Sequence, residues 1–263
     1  MRTIILAGIM LLSATIMQAQ RGTITNREVA LEGAVNFRDL GGYTTTASRR
    51  VALNKIYRAA HLSRLTSRDR EEMERRKIHT VLDLRSERDT VGASDRLPFG
   101  VDYLLLPSNV CDSVLLTDDR AMSKLYADIS YFKAIFRPFF KKMLLLPDTS
   151  AIVFHCSTGK DRTGIAAALL LYMLDVPKET IFADYMATCF YLQRHREQII
   201  AEMTEKYGIQ PQAIAGKMEC NPQYLQTVFD VIAREYGSVD AFLAIEAGIG
   251  EYERFMLREK FIE

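Results

Sequence analysis

The sequence contains no tryptophan, only four cysteines, and a formal charge of +1 from 34 Lys+Arg against 33 Asp+Glu. Each scarcity excludes something. No two cysteines stand at CxxC spacing and the four histidines are scattered, so the pattern of a structural zinc site is missing. No metal or other cofactor is expected. Balanced charge disfavours a nucleic-acid partner, although it leaves room for a local basic pocket. With 7 prolines and 14 glycines in 263 residues, collagen-like and low-complexity chains are ruled out. What is present is ordinary globular material, 48% hydrophobic and 25% charged, enough for one large α/β domain or two small ones.

The first twenty residues differ in kind. Arg2 gives a positive tip, Thr3 to Met17 carries no charge, and Ala19 offers a small residue near a cut. This predicts a secretory signal peptide over residues 1–20 and a secreted or periplasmic protein, with an uncleaved N-terminal anchor as the alternative. The uncharged run is short for a membrane span, and no span is expected after the signal is removed. The mature chain, 21–263, reads as a single domain with balanced charge. An oxidising compartment permits disulfides among Cys111, Cys156, Cys189 and Cys220. If Cys156 stays a thiol, the other three cannot all pair, and the sequence leaves any pairing open.

Short apolar runs at Lys55–Arg58, Thr80–Leu84, Val101–Leu106 and Ser150–His155 predict strands. A helix over Thr66–Lys77 opens with a Thr66-x-x-Asp69 capping box. Apolar residues recur with a helical period from Ala121 to Leu146, and Pro138 inside that stretch predicts two helices or a kink. Thr163 to Leu174 is almost wholly apolar, hence a buried helix. Pro177 opens another, Leu192–Lys206 is amphipathic, and Asn221-Pro222 and Ser238 start two more. Strands alternating with helices, then helices alone, predict a central mostly parallel sheet flanked by helices, with a helical C-terminal half.

The chemistry sits in His155-Cys156-Ser157-Thr158-Gly159-Lys160-Asp161-Arg162-Thr163-Gly164. A strand enters this segment and a buried helix leaves it, so the N–H groups of Ser157 to Arg162 converge near a helix N-terminus, a cradle for a tetrahedral dianion. A cysteine at the mouth of such a cradle is held as the nucleophilic thiolate by the same donors. Arg162, six residues on, can grip two phosphoryl oxygens with its planar fork. These parts predict in-line attack by Cys156 on phosphorus, a cysteinyl-phosphate, and its hydrolysis by water. Thr163 is the candidate for helping the sulfur leave, and His155 for orienting the loop.

His155-Cys156-x5-Arg162-Thr163 resembles the signature of cysteine-dependent protein tyrosine phosphatases. The fuller string resembles a branch of secreted bacterial tyrosine and phosphoinositide phosphatases with an HCxxGKDRTG loop. Asn36-Phe37-Arg38-Asp39-Leu40-Gly41-Gly42, Tyr57-Arg58-Ala59-Ala60, Asp83-Leu84-Arg85-Ser86, Ala183-Asp184-Tyr185 and Tyr236-Gly237-Ser238 resemble further blocks of that branch, in order. The resemblance implies a tyrosine phosphatase-like fold, a phosphorylated protein or phosphoinositide as substrate, and no metal. It also implies a general acid, which many tyrosine phosphatases carry in a Trp-Pro-Asp loop that this chain cannot have. Asp161 and Asp83 are the favoured acids, ahead of Asp112, Asp118 and Asp119 in a polar loop. Lys160 is either a second phosphate ligand, as in inositide phosphatases, or a counterion of Asp161. Asn36, Arg38 and Asp39 serve the phosphate side or a supporting turn. The stretch around 190–207 is either a lid over the pocket or a packing helix. Two other functions fit a Cys-bearing strand–helix loop: a rhodanese-like sulfurtransferase and a non-catalytic phosphate-binding module.

Overall fold

The computed structural model describes residues 27–118 and 120–263, so the signal peptide expected at 1–20, and Asp119, fall outside the described residues. A two-residue strand, Arg38–Asp39 (β1), pairs antiparallel with Ile56–Ala59 (β2). Ser67–Arg75 (α1) starts at the expected capping box, with Thr66 Oγ1 accepting from the Asp69 N–H. Ile78–Asp83 (β3) follows, then Glu87–Thr90 (α2) and Asp102–Leu105 (β4). Asp112–Thr117 (α3), Ala121–Ala127 (α4) and Lys133–Leu145 (α5) lead to Ala151–His155 (β5). The remainder is helical: Asp161–Met173 (α6), Lys178–Gln193 (α7), Arg196–Tyr207 (α8), Pro211–Lys217 (α9), Pro222–Tyr236 (α10), Val239–Phe242 (α11) and Glu251–Phe261 (α12).

The sheet order is β1-β2-β5-β3-β4, with every pair parallel except β1 and β2. β5 lies in the middle and is buried along its length, as a strand covered on both faces must be. Its alternate side chains divide two cores. Ile152 and Phe154 face the larger one, with the α5 aromatics Phe136, Phe139 and Phe140 and the α6 aliphatics. Ala151 and Val153 face the smaller one, with Leu65, Met73 and Val81. The carboxyl end of the central strand is where a ligand crevice forms in an open α/β sheet.

Two details differ from expectation. The long helical stretch after Ala121 breaks at Asp128, not at Pro138, which lies within α5. Asp128 is extended and its carboxylate accepts from the Ser130 N–H, so a local side-chain bond competes with the helix there. The pairing of cysteines, open in the sequence, is Cys189 with Cys220, while Cys111 and Cys156 are free. Among the described residues no helix is long and apolar enough to cross a membrane.

Candidate active site

β5 ends at His155, Cys156 follows it, and α6 begins at Asp161, so the intervening loop turns back on itself between a buried strand and a buried helix. Its outer side is fully occupied. The carbonyl of Ser157 accepts from the His61 N–H at 3.1 Å. Those of Thr158 and Gly159 accept from Asn36 Nδ2 at 3.0 and 3.1 Å, and Gly159 O also from Arg58 Nη2 at 2.7 Å. In a planar trans peptide the N–H points opposite its carbonyl. With three consecutive carbonyls drawn outward, the N–H groups of Thr158, Gly159 and Lys160 turn toward the inside of the loop. Gly159 has a φ of +69°, and a Cβ there would lie 2.3 Å from the Ala59 carbonyl oxygen, so this turn requires glycine.

The clamp on the loop is itself braced. Arg58 donates to Asp184 at 2.6 Å and Arg38 to the same carboxylate at 3.1 Å, with the Tyr43 hydroxyl adding a third donor at 3.1 Å. Burial alone would raise the Asp184 pKa, but Arg38 and Arg58 hold it down at about 2. Arg38 also donates to Asn36 Oδ1, which fixes the amide so that its nitrogen faces the loop. Asn36, Arg38 and Arg58 therefore shape the cradle from behind. Asp39 faces elsewhere, accepting from the Gly41 and Asn54 N–H groups of a turn.

Arg162 is buried and lies across the loop from the nucleophile. Its Nη1 donates to Asp89 at 3.0 Å and Ser108 at 3.3 Å, and its Nη2 to Asp112 and, at 3.2 Å, to Ser157 Oγ. Its Nε–H is buried without a protein partner. Burial would lower the Arg162 pKa, yet Asp112, the Cys156 sulfur and Asp89 carry it well above the ordinary value. A permanently charged fork with a spare buried donor beside a ring of inward N–H groups is an oxyanion site. The Thr163 hydroxyl is buried and likewise has no hydrogen-bond partner.

The two carboxylates on Arg162 differ. Burial raises Asp89, but Arg162, the Asp112 N–H and Ser86 more than reverse it, so its pKa is lowered. Asp112 is pushed up, first by burial and then by Asp89, against the pull of Arg162. Both line a cavity of about 510 Å³ with Ser157 and Thr158 at its floor, and with Val35, Arg64, Ile199, Met203, Lys206 and Tyr207 among its walls. Four of those wall residues belong to α8, within the stretch read as lid or packing helix. The Tyr207 hydroxyl donates weakly to both carboxylates at 3.4 Å, and Lys206 donates to the Asp89 carbonyl at 2.7 Å.

Several expected residues lie elsewhere than predicted. Asp83 is fully buried behind the loop, paired with Arg85 at 2.6 Å and accepting from the Tyr103 hydroxyl at 2.9 Å. Burial raises it, while His155 and Arg85 bring its pKa down to about 2, which makes it a poor proton donor. Asp161 turns to the Tyr126 hydroxyl and to Lys160, away from the main cavity. The Lys160 ammonium is directed at the carbonyls of Lys217 and Glu219. Asp118 caps α3 and accepts from the Arg120 N–H. Asp112, ranked behind these in the sequence, is the acid placed at the cavity.

His155 lies beneath, its Nδ1 3.1 Å from the Cys156 carbonyl oxygen and its Nε2 2.9 Å from Asp95. Burial would lower its pKa, but Asp95 and Asp83 raise it overall. Asp83, Asp95 and His155 bring their ligand atoms within 4.8 Å of one another, the spacing of a metal cage. Arg85 already pairs with both carboxylates, at 2.6 and 2.9 Å, so the charge that a metal ion would neutralise is met by the protein.

A parallel-sheet fold with a cysteine at the end of its central strand, a loop of converging N–H groups and a buried arginine six residues on defines a cysteine-dependent phosphatase. The match to family sequences is continuous over residues 29–263, and the chain belongs to the tyrosine phosphatase family. It is similar to the triple specificity protein phosphatase PtpB of Mycobacterium tuberculosis, 28% identical over 264 residues that cover 84% of this chain and 94% of that one. A tyrosine-protein phosphatase of Nostoc commune is 29% identical over 151 residues, 54% of this chain and 51% of the relative. Among solved structures, P. aeruginosa TpbA is similar at 15% identity over 68% of this chain and 86% of that chain, with a TM-score of 0.26. Family membership places phosphoester chemistry ahead of persulfide transfer and of passive phosphate binding.

Proposed function

We propose that this protein hydrolyses aryl phosphomonoesters, phosphotyrosine foremost, through a cysteinyl-phosphate on Cys156. The observation that carries this reading is Arg162, buried beside the Cys156 sulfur with its Nε–H left unpaired. The Cys156 thiolate attacks phosphorus, and the bond from phosphorus to the phenolic oxygen breaks. Asp112, whose pKa burial and Asp89 raise, gives its proton to that oxygen. The same carboxylate then takes a proton from the water that attacks the cysteinyl-phosphate, and the sulfur leaves as thiolate. Asp89 holds Arg162 in place during both steps. Thr163, with a buried and unpartnered hydroxyl, is the group available to the departing sulfur.

The apolar cavity walls Val35, Ile199, Met203 and Tyr207 suit a phenyl ring, while Arg64 and Lys206 at the same cavity suit neighbouring anionic groups. The relative described as having triple specificity supports a range wider than phosphotyrosine, and the resemblance of the Cys156–Gly164 loop to that of phosphoinositide phosphatases makes inositides the second class proposed. Export is proposed as well, on the signal-like residues 1–20 and on a disulfide, which persists in oxidising compartments. Para-nitrophenyl phosphate turnover in the presence of a chelator tests the mechanism. It is expected to proceed, to be blocked by vanadate and to vanish in Cys156→Ser. Turnover that survives this substitution, or that requires a divalent ion, overturns it.

A further inference from the structure

The phosphate loop is tied, at the end remote from Cys156, to the disulfide. The Lys160 ammonium donates to the carbonyl oxygen of Lys217 and, at 3.0 Å, to that of Glu219. The next residue, Cys220, is bonded to Cys189 of α7, and Cys189 Sγ lies 3.6 Å from the Met218 carbonyl oxygen. The segment that receives Lys160 is thus fastened covalently at its end. An ammonium has three donor hydrogens. Two are directed at these carbonyls, and Asp161 lies 3.6 Å away on the loop itself. Buried in this way, Lys160 is held off the substrate phosphate.

The Lys160 pocket adjoins the substrate cavity. A small cavity of about 40 Å³ is lined by Lys160, Lys217 and Met218, and also by Asp112, Thr158 and Met203, which line the substrate cavity too. Asp112, Thr158 and Met203 thus form a wall common to the two cavities. The disulfide is reachable from outside, since both cysteines are half-buried and a groove of about 440 Å³ exposes Cys189 beside Gln193, Arg196 and Glu219. Arg196 keeps a second hold on the segment, donating to the Ala215 carbonyl at 2.9 Å and pairing with Glu219 at 3.1 Å. Opening the disulfide would loosen the segment without detaching it.

We infer that the Cys189–Cys220 disulfide determines substrate class: closed, it keeps Lys160 away and the site reads one phosphate; opened, it frees Lys160 to bind a second. The inference rests on the phosphatase reading of the loop. Opening is thiol–disulfide exchange with a dithiol. Its thiolate attacks one sulfur, the S–S bond breaks, and the reductant's second sulfur resolves the mixed disulfide. Two protons end on Cys189 and Cys220, and the dithiol leaves as a cyclic disulfide.

The direct test labels lysines with the N-hydroxysuccinimide ester of acetic acid, on native protein and on protein treated with a dithiol, followed by peptide mapping. Lys160 acetylation is expected to rise at least tenfold on reduction, while Lys141, remote from the disulfide, labels equally in both states. Equal labelling of Lys160 in both states overturns the inference. The second readout is the ratio of kcat/KM on a bis-phosphorylated inositide to that on a phosphotyrosine peptide. It should rise about tenfold in Cys189→Ser/Cys220→Ser or in the reduced wild type, and Lys160→Met should abolish the rise. In the oxidised protein a fall of the ratio in Lys160→Met shows Lys160 already on the substrate and also overturns the inference. Loss of turnover on every substrate would strike the phosphatase reading, whereas the labelling reports the disulfide coupling independently of turnover.

Discussion

Asp112 and Asp89 share one guanidinium and are driven in opposite directions. Asp89 collects the Asp112 N–H, Ser86 and Arg162, and is held below the ordinary carboxylate value; Asp112 is buried with fewer donors and meets the negative charge of Asp89. Their environments separate the two carboxylates into an anchor and an acid. The active form of Asp112 is protonated, so rate is lost as pH rises through its raised pKa. Asp112→Asn is expected to remove that basic limb and to lower kcat on phosphotyrosine peptides by about 10²- to 10³-fold. Para-nitrophenyl phosphate, whose leaving group needs little protonation, should lose far less. A pH–rate profile of the variant that keeps the wild-type basic limb assigns the acid elsewhere. Asp89→Asn predicts a different outcome, a raised KM with the basic limb retained but moved to lower pH, because it frees Arg162 and removes the negative charge that raises Asp112.

At the level of elements, the two helices that meet the site are held very differently. α6 has eleven of its thirteen residues buried, whereas α8 buries Ile199 alone, packs Ile200, Met203 and Tyr207 only in part, and is otherwise held by Arg64–Glu202, Lys206 and Tyr207. Polar contacts at a surface contribute little each, and local opening follows burial. Amides of α8 should therefore exchange with solvent at least a hundredfold faster than those of α6, and vanadate should slow them through the cavity they share. Equal protection of the two helices would contradict this. The same contrast explains what the sequence revealed. β5, the Thr66 box and the apolar run of α6 were legible because their signals are local: alternation, caps and composition. Cys156 and Arg162 were legible because strand, loop and helix are contiguous. Asn36, Arg58 and Asp184 carry no such signal for their task, since each meets the loop or its brace from more than 100 positions away. Asp112 was undervalued for the same reason: its partner Arg162 is 50 residues distant. Asp83 misled because a strand end predicts position in the crevice but not that Arg85, two residues on, folds back and seals it.

Across the whole molecule, the sheet keeps its charges in its interior and disposes of them in pairs. Asp184 is locked between Arg38 and Arg58 on one side of β5, and Asp83 against Arg85 on the other. Both carboxylates sit at about 2, below an ordinary value of 3.8. A depressed acid contributes stability above its unfolded pKa and loses it as pH falls through the folded one. Each shift is worth about 2 kcal/mol, a sizeable part of a domain stability of roughly 5–15 kcal/mol. His155 and Asp112 have the opposite sign: their pKa values are raised, so they add stability as pH falls, but that gain is complete by about their unfolded values, before most of the acid loss occurs. The denaturant midpoint should hold or rise slightly from pH 7 to 5, then fall steeply between pH 4 and 2. Asp184→Asn leaves two buried guanidinium groups facing each other without a counter-charge, and should cost about 3–5 kcal/mol at pH 7. It should also flatten the acid fall by the share Asp184 supplied. A variant as stable as wild type at pH 7, or one whose acid fall is undiminished, would mean that the Arg38–Asp184–Arg58 brace does not hold the loop from which the chemistry depends.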